Sequence, residues 1–172
     1  MSDNPVPVTA ADLAKRSVLD DALLALNNAH AAELSWLERE RLRHLVAEAF
    51  VAKRIGDADA FILAFDQDAG YDSPNFLWFR ARYRRFVYVD RIVVAPGARR
   101  RGHARRLYLD LFAEALKAGH DQVVCEVNSD PPNPASSAFH AALGFAGVGT
   151  AILHGRSKTV SYLARRLSPE FQ

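Results

Sequence analysis

Residues 86–117, FVYVDRIVVAPGARRRGHARRLYLDLFAEALK, hold a strand, a hinge and a helix in one piece. Phe86 to Val94 is dense in β-branched and aromatic residues, and Ala95, Pro96 and Gly97 stop it, since proline has no N–H to give to a ladder. This predicts a strand. Beyond the hinge, Ala104, Leu107, Tyr108, Leu111, Phe112, Ala115 and Leu116 fall at helical spacing and form one apolar stripe. Gly119 is placed to close that helix in a left-handed conformation.

The hinge itself, Arg99, Arg100, Arg101, Gly102, His103 and Ala104, carries the chemistry. A glycine in the first turn lets the backbone approach a ligand, and the free amides of a helix N-terminus attract phosphate oxygens. Arginines are disfavoured at the positive end of a helix dipole, so three of them there ask for an anionic partner. The plainer alternative is a charged, solvated first turn.

These residues resemble the pyrophosphate loop of the GNAT superfamily of N-acetyltransferases: Gln or Arg, two variable residues, Gly, one variable residue, Gly or Ala. Here that pattern is Arg99, Gly102 and Ala104. A second match follows, with Asn133 leading through a helix at Ala135 to Leu143 into Gly144 and Phe145. The resemblance spans roughly residues 50 to 167 and is sharp from 86 to 145. It implies an α/β fold with a mixed, twisted, mainly antiparallel sheet flanked by helices, and a splayed parallel strand pair at the cofactor site. It further implies acetyl-CoA as co-substrate. The pantetheine arm would pair near Ile92, Val93 and Val94, the pyrophosphate would rest on the amides of Arg100, Arg101, Gly102, His103, Ala104 and Arg105, and Asn133 would face the pantetheine. One departure is plain: His140 stands where the family commonly has a tyrosine that protonates the leaving thiolate.

With 172 residues the chain fits a single domain, long enough to bury a core without disulfides or metals. Hydrophobic residues at 49% and charged residues at 24% place it among soluble globular proteins. The net charge of only +2 means that attraction for a polyanion must come from local clustering, which the hinge arginines supply. A single cysteine, Cys125, excludes an internal disulfide and a Cys-rich metal site. Residues 1–8 read as a loose start without a signal pattern, and no apolar run reaches the ~20 residues of a membrane span, so a cytoplasmic location is expected.

Upstream, Asp20 to Asn27 reads as a helix capped by Asp20, interrupted at residues 28–32. Ser35 and Glu38 suggest a capping box for a second helix ending near Phe50. Residues 50–55 and 60–65 form a predicted antiparallel hairpin, and 66–75 a turn-rich loop. Residues 76–85 interleave aromatics with arginines, which fits either a nucleic-acid surface or a pocket lining; the short, isolated patch favours the lining. Downstream, Gln122 to Val127 is a strand parallel to the first, 128–134 a rigid loop, and 135–143 a helix with Asn133 as cap and Pro134 in its first turn. Two closing strands, 145–153 and 158–167, flank His154, Gly155, Arg156 and Ser157.

Within this frame the residues suggest roles. Glu126 is an ionisable carboxylate in an apolar strand, where burial raises a pKa toward that of a useful base; a structural ion pair with an arginine is the alternative. Asp90 is a second candidate base through a water, or a salt-bridge partner of Arg91. His140 as imidazolium is an acid candidate, or a packed helix residue. By resemblance Asn28 and His30 border the acceptor site, while a solvated loop is the alternative for them. The expected activity is acetyl transfer from acetyl-CoA to a primary amine, a small molecule being favoured, with no metal, membrane or nucleic acid and with a homodimer allowed. A non-catalytic acyl-CoA binding or sensing module is the rival reading.

Overall fold

The computed structural model describes residues 3–14, 17–153, 155 and 157–168. In chain order they form β1 (Val6–Pro7), α1 (Val18–Ala29), α2 (Ala31–Leu34), α3 (Arg39–Glu48), β2 (Val51–Ile55), β3 (Ala60–Asp66), α4 (Pro74–Arg80), β4 (Val87–Val94), α5 (His103–Lys117), β5 (Gln122–Asp130), α6 (Pro134–Ala142), β6 (Ala146–Leu153) and β7 (Lys158–Arg166), with a 3-10 turn at Pro96–Ala98. The strands make a seven-stranded sheet in the order β1-β2-β3-β4-β5-β7-β6. Every pairing is antiparallel except β4 with β5, the strands joined by the α5 crossover. This is the mixed sheet that the resemblance implies.

Period-two alternation gives the sheet two cores. On β3, Phe61, Leu63 and Phe65 pack with Leu23 of α1, Leu42 and Leu45 of α3, and Phe76 and Phe79 of α4. Ala60, Ile62 and Ala64 face the other way, onto Leu107, Tyr108, Leu111 and Phe112 of α5. A strand buried on both faces reads as a continuous apolar run, as β3 does. The stripe of α5 is buried as its spacing requires, each large side chain contributing about 1.5–3 kcal/mol. Gly119, at φ 80°, closes that helix: its N–H reaches Leu116 O and that of His120 reaches Ala115 O.

Several expectations are corrected. Asp20 does not cap α1; Ser17 does, accepting from Asp20 N at 3.1 Å, while the buried Asp20 carboxylate takes Arg39 at 2.5 Å and Arg43 at 2.8 Å. Ser35 and Glu38 form no capping box. Ser35, at φ 79°, ends α2, and Glu38 accepts from the Trp36 indole at 3.0 Å instead. The end of the turn-rich loop and the aromatic–arginine segment after it contain α4, and β5 runs on to Asp130. The start of the chain is held from residue 6, where Val6 and Pro7 pair with Arg54 and Lys53, and Val8 is buried. Met1 and Ser2 of that start, and His154 and Arg156 of the β6–β7 connection, lie outside the described residues. No helix among the described residues is long and apolar enough to cross a membrane.

β6 and β7 shift register between Gly147 and Gly149, and there Trp78 of α4 comes down on the sheet. A Cβ on Gly149 would stand 2.5 Å from Trp78 Cζ2. The indole is held by Tyr162, stacked at 4.2 Å between centroids, and by Arg82, 3.9 Å over the ring. Gly149→Ala is therefore expected to destabilise the protein by about 1–3 kcal/mol. The measure is a lowered urea midpoint at unchanged slope. An unchanged midpoint would mean that the indole can swing clear.

Candidate active site

β4 meets β5 only at Val87↔Val123 and Tyr88↔Val124, and beyond these pairs the strands part. Two features keep the gap open. Leu63 faces Arg91 and Ala64 faces Val89, so Asp90 has no partner on β3, and this bulge bends and twists β4. The other edge of β5 is meanwhile paired along its length with β7. The gap is a cavity of about 130 Å³ lined by Val89, Ile92, Asn128 and Asn133 among others. Of the three strand residues expected at the cofactor, Ile92 lines this gap and Val94 the hollow beside the hinge, whereas the Val93 side chain packs into the core.

The hinge follows the 3-10 turn. Arg100 at φ 63° and Gly102 at φ 78° are both left-handed, and α5 has no side-chain cap. The amides of residues 100–105 donate to no carbonyl among the described residues. A hollow of about 240 Å³, lined by Val94, Arg99, Arg100, Gly102, Ala104 and Arg105, lies over them. A Cβ on Gly102 would meet nothing within 4 Å. Free amides, a helix N-terminus and exposed arginines around open space make an anion cradle. His103 also lines the hollow, its side chain otherwise buried with Nε2 unpartnered, whereas Arg101 is exposed and does not line it.

A larger cavity of about 450 Å³ opens on the α4 side of the sheet, lined by Glu33, Tyr71, Asn75, Tyr88, Asp90 and Lys158 among others. Glu126 lines both this cavity and the gap. Its Oε1 accepts from Asn75 Nδ2 at 2.9 Å and from the Tyr88 hydroxyl at 3.1 Å, and its Oε2 is shielded and unpartnered. Burial first, and the charge of Asp90 second, push its pKa up to about 8, against the lowering effect of those two hydrogen bonds. No arginine or lysine among the described residues pairs with it, so the structural ion pair is not formed. Asp90 does form the salt bridge weighed from the sequence, with Arg91 Nε at 2.6 Å, and accepts from Tyr71 at 2.5 Å. Burial holds the Tyr71 and Tyr88 hydroxyls protonated.

A family model described as "Acetyltransferase (GNAT) family" matches residues 16–145. The chain belongs to the GNAT acetyltransferase family. A search of curated protein sequences yields no significant match. Among solved structures, Ard1 from Thermoplasma volcanium is similar in fold, with a TM-score of 0.72 at 14% identity over 96% of this chain and 97% of that one. The ribosomal-protein-alanine N-acetyltransferase from Brucella melitensis gives 0.67 at 20% identity over 95% and 99%. Arabidopsis thaliana NAA60, solved in complex with acetyl-CoA, gives 0.68 at 15% identity over 95% and 98%.

In this GNAT domain His140, which the resemblance sets at the family's tyrosine position, is buried with both ring nitrogens engaged. Nδ1 lies 2.8 Å from the Ser136 carbonyl and Nε2 2.7 Å from the Tyr108 hydroxyl. A carbonyl only accepts, so the proton sits on Nδ1 and Tyr108 donates to Nε2. Burial lowers the ring's pKa. The imidazolium acid expected from the sequence is disfavoured twice, since the ring is neutral and has no proton free for a thiolate. Asn133 Oδ1 caps α6 as expected, accepting from Ser136 N at 3.2 Å, and the residue lines the gap.

Asn28 and His30 do not line the larger cavity. Asn28 brackets Leu37, donating to its carbonyl and accepting from its amide, both at 2.9 Å. His30 Nδ1 donates to Leu26 O, and Nε2 accepts from Arg99 at 3.1 Å, beside the hinge. Of this region it is Glu33 and Leu34 of α2, with Ser35, that line the cavity. Sequence reasoning missed Asn75, Tyr71, Tyr88 and Tyr162. For Asn75 a signal existed: Ser73 followed by Pro74 is a helix start, which would have placed Asn75 in a first turn. The aromatics after it are core, with Phe76 and Phe79 buried and Arg80 and Arg82 lying over rings, so they offer no stacking platform for bases.

Proposed function

We propose that the protein transfers the acetyl group of acetyl-CoA to a primary amine, with Glu126 as general base. The observation that carries this reading is the place of Glu126, a carboxylate on the wall shared by the strand gap and the larger cavity, held by neutral donors and by no cation among the described residues. With the pyrophosphate on the amides of residues 100–105, the pantetheine arm runs along Val94 and Ile92 into the gap. The amine enters by the larger cavity. Its nitrogen forms a bond to the carbonyl carbon, the carbon–sulfur bond breaks, and the nitrogen's proton passes to Glu126. A pKa of about 8 lies close to the ~8.5 of an ordinary thiol, so Glu126 can hand that proton on to the departing thiolate or to water without a separate acid. Accordingly, His140→Phe should keep turnover within about tenfold of wild type, less than the ~10²–10⁴-fold typical of a lost general acid.

The cavity of about 450 Å³ lies in the ordinary range of small-molecule sites, which favours a small amine as acceptor. The test is a screen of amino acids, polyamines, aminoglycosides and short peptides for CoA release from acetyl-CoA. Turnover with at least one amine is expected, together with micromolar or tighter binding of CoA by calorimetry. Tight binding of acetyl-CoA without release of CoA in the presence of any amine would instead assign the protein to acyl-CoA sensing.

A further inference from the structure

Between β3 and β4 the chain inserts α4, a helix too short to persist alone and held by its buried Phe76 and Phe79. Its first turn carries Asn75 to the wall of the larger cavity, where the side-chain amide is gripped at both ends. The Tyr162 hydroxyl donates to Oδ1 at 2.9 Å, and Nδ2 donates to Glu126 Oε1 at 2.9 Å. Once the carboxylate is ionised, turning the amide over would set Oδ1 against a carboxylate oxygen, acceptor against acceptor, so the ionised form fixes one orientation. Tyr162 is itself immobilised, stacked on Trp78 at 4.2 Å and edge-on to Phe79 at 5.1 Å.

We propose that Asn75 is a positioning residue for Glu126, which holds the carboxylate by Oε1 and sets the pH at which it ionises. The proposal rests on the reading of Glu126 as the base. It has a definite electrostatic consequence. Facing Glu126 are Tyr88 and the Asp90–Arg91 pair from β4, Tyr71 from the β3–α4 connection, and Tyr162 and Lys158 from β7. Cys125 on β5 and Tyr108 on α5 are held protonated by burial. Among all of these and Asn75, only Asn75 and Tyr88 donate hydrogen bonds to the carboxylate. A donor favours the ionised form, so deleting the Asn75 amide must move the Glu126 titration upward.

The test compares Asn75→Leu, similar in volume but without a donor, Asn75→Asp and Tyr162→Phe with the wild-type chain. kcat/KM with the best amine from the screen is followed from about pH 6 to about pH 10, and the Glu126 carboxyl carbon is titrated by NMR in glutamate-labelled protein, assigned by its loss in Glu126→Gln. Asn75→Leu should raise both midpoints by about one pH unit, lowering turnover at pH 7 by ~10-fold while the alkaline plateau and the KM for acetyl-CoA stay near wild type. Asn75→Asp should shift them further, since a second carboxylate replaces the donor. Tyr162→Phe should shift them less and in the same direction, and it serves if the leucine variant does not fold. An unmoved NMR midpoint in the folded variants, with turnover lowered equally at every pH, overturns the proposal and leaves Asn75 as a support of α4. If Glu126→Gln itself turns over normally, the base assignment fails instead, and the NMR titration still decides whether Asn75 governs the carboxylate.

Discussion

Replacing Glu126 by glutamine is expected to lower kcat by ~10²–10⁴-fold while leaving acetyl-CoA affinity nearly unchanged. The substitution keeps the shape of the side chain, and its amide oxygen can still accept from Asn75 and Tyr88, so the packing of the site is preserved. What is lost is the lone pair at Oε2, the one carboxylate oxygen without a partner. Wild-type kcat/KM should rise with pH through an acid limb near 8, where the buried carboxyl ionises. The same group makes a stability prediction. A carboxyl raised to about 8 in the folded protein, against ~4.3 when unfolded, holds a proton that the unfolded chain has released, so its contribution is fully present below the unfolded value and is lost as pH rises through about 8. Glu126→Gln, which never ionises, should therefore gain in melting temperature relative to wild type between pH 5 and pH 9. A variant that keeps wild-type turnover and shows no pH-dependent gain in melting temperature would show that the carboxylate is not desolvated and is not the base.

The parts of this molecule that were legible in its sequence are those in which one physical cause acts locally. The β-branched run of β4, the apolar stripe of α5 and the glycines at the ends of helices each follow from the residues within a turn or two, and each is found where it was expected. The break at the hinge was legible for the same reason, because Pro96 and Gly97 end the strand and the left-handed Gly102 stands directly ahead of the helix. Caps were not. Asp20 and Ser35 are good capping residues by type, but Asp20 is captured by Arg39 and Arg43 from a helix about twenty residues on, and Ser35 is turned by the left-handed exit from α2. The surroundings of Glu126 were invisible for a related reason: Asn75, Tyr88 and Tyr162 come from three elements, and only the sheet order β4-β5-β7 with α4 laid across it brings them to one carboxylate. His140 shows the converse, a residue whose place was foreseen and whose chemistry was set by Tyr108, a partner 32 residues away.

Gly102→Glu is expected to abolish measurable binding of CoA, raising its Kd by at least ~10²-fold. The glycine occupies a left-handed position, φ 78°, directly ahead of α5, and the space over it is open, with nothing within 4 Å of where a Cβ would stand. Gly102 lines the hollow together with Arg100, Ala104 and Arg105, and the amides of residues 100–105 have no carbonyl partner among the described residues, so a side chain there has this open space to occupy. A carboxylate placed in that hollow would satisfy the amides itself, and it would meet the pyrophosphate with like charge. Two displaced charge-assisted hydrogen bonds, at ~1.5–3 kcal/mol each, account for a loss of ~10²–10⁴ in affinity. Backbone strain has to be separated from this effect, since a non-glycine residue held at positive φ costs about 1–3 kcal/mol. Gly102→Asn provides the control: asparagine tolerates the left-handed region and carries no charge, so it should melt near wild type and bind CoA with an intermediate loss. Binding is read by calorimetry and folding by thermal melting, so a failure to fold cannot be mistaken for a failure to bind. A folded Gly102→Glu protein that binds CoA as tightly as wild type would remove the pyrophosphate from this hinge, and with it the direction in which the acyl chain enters the gap between β4 and β5.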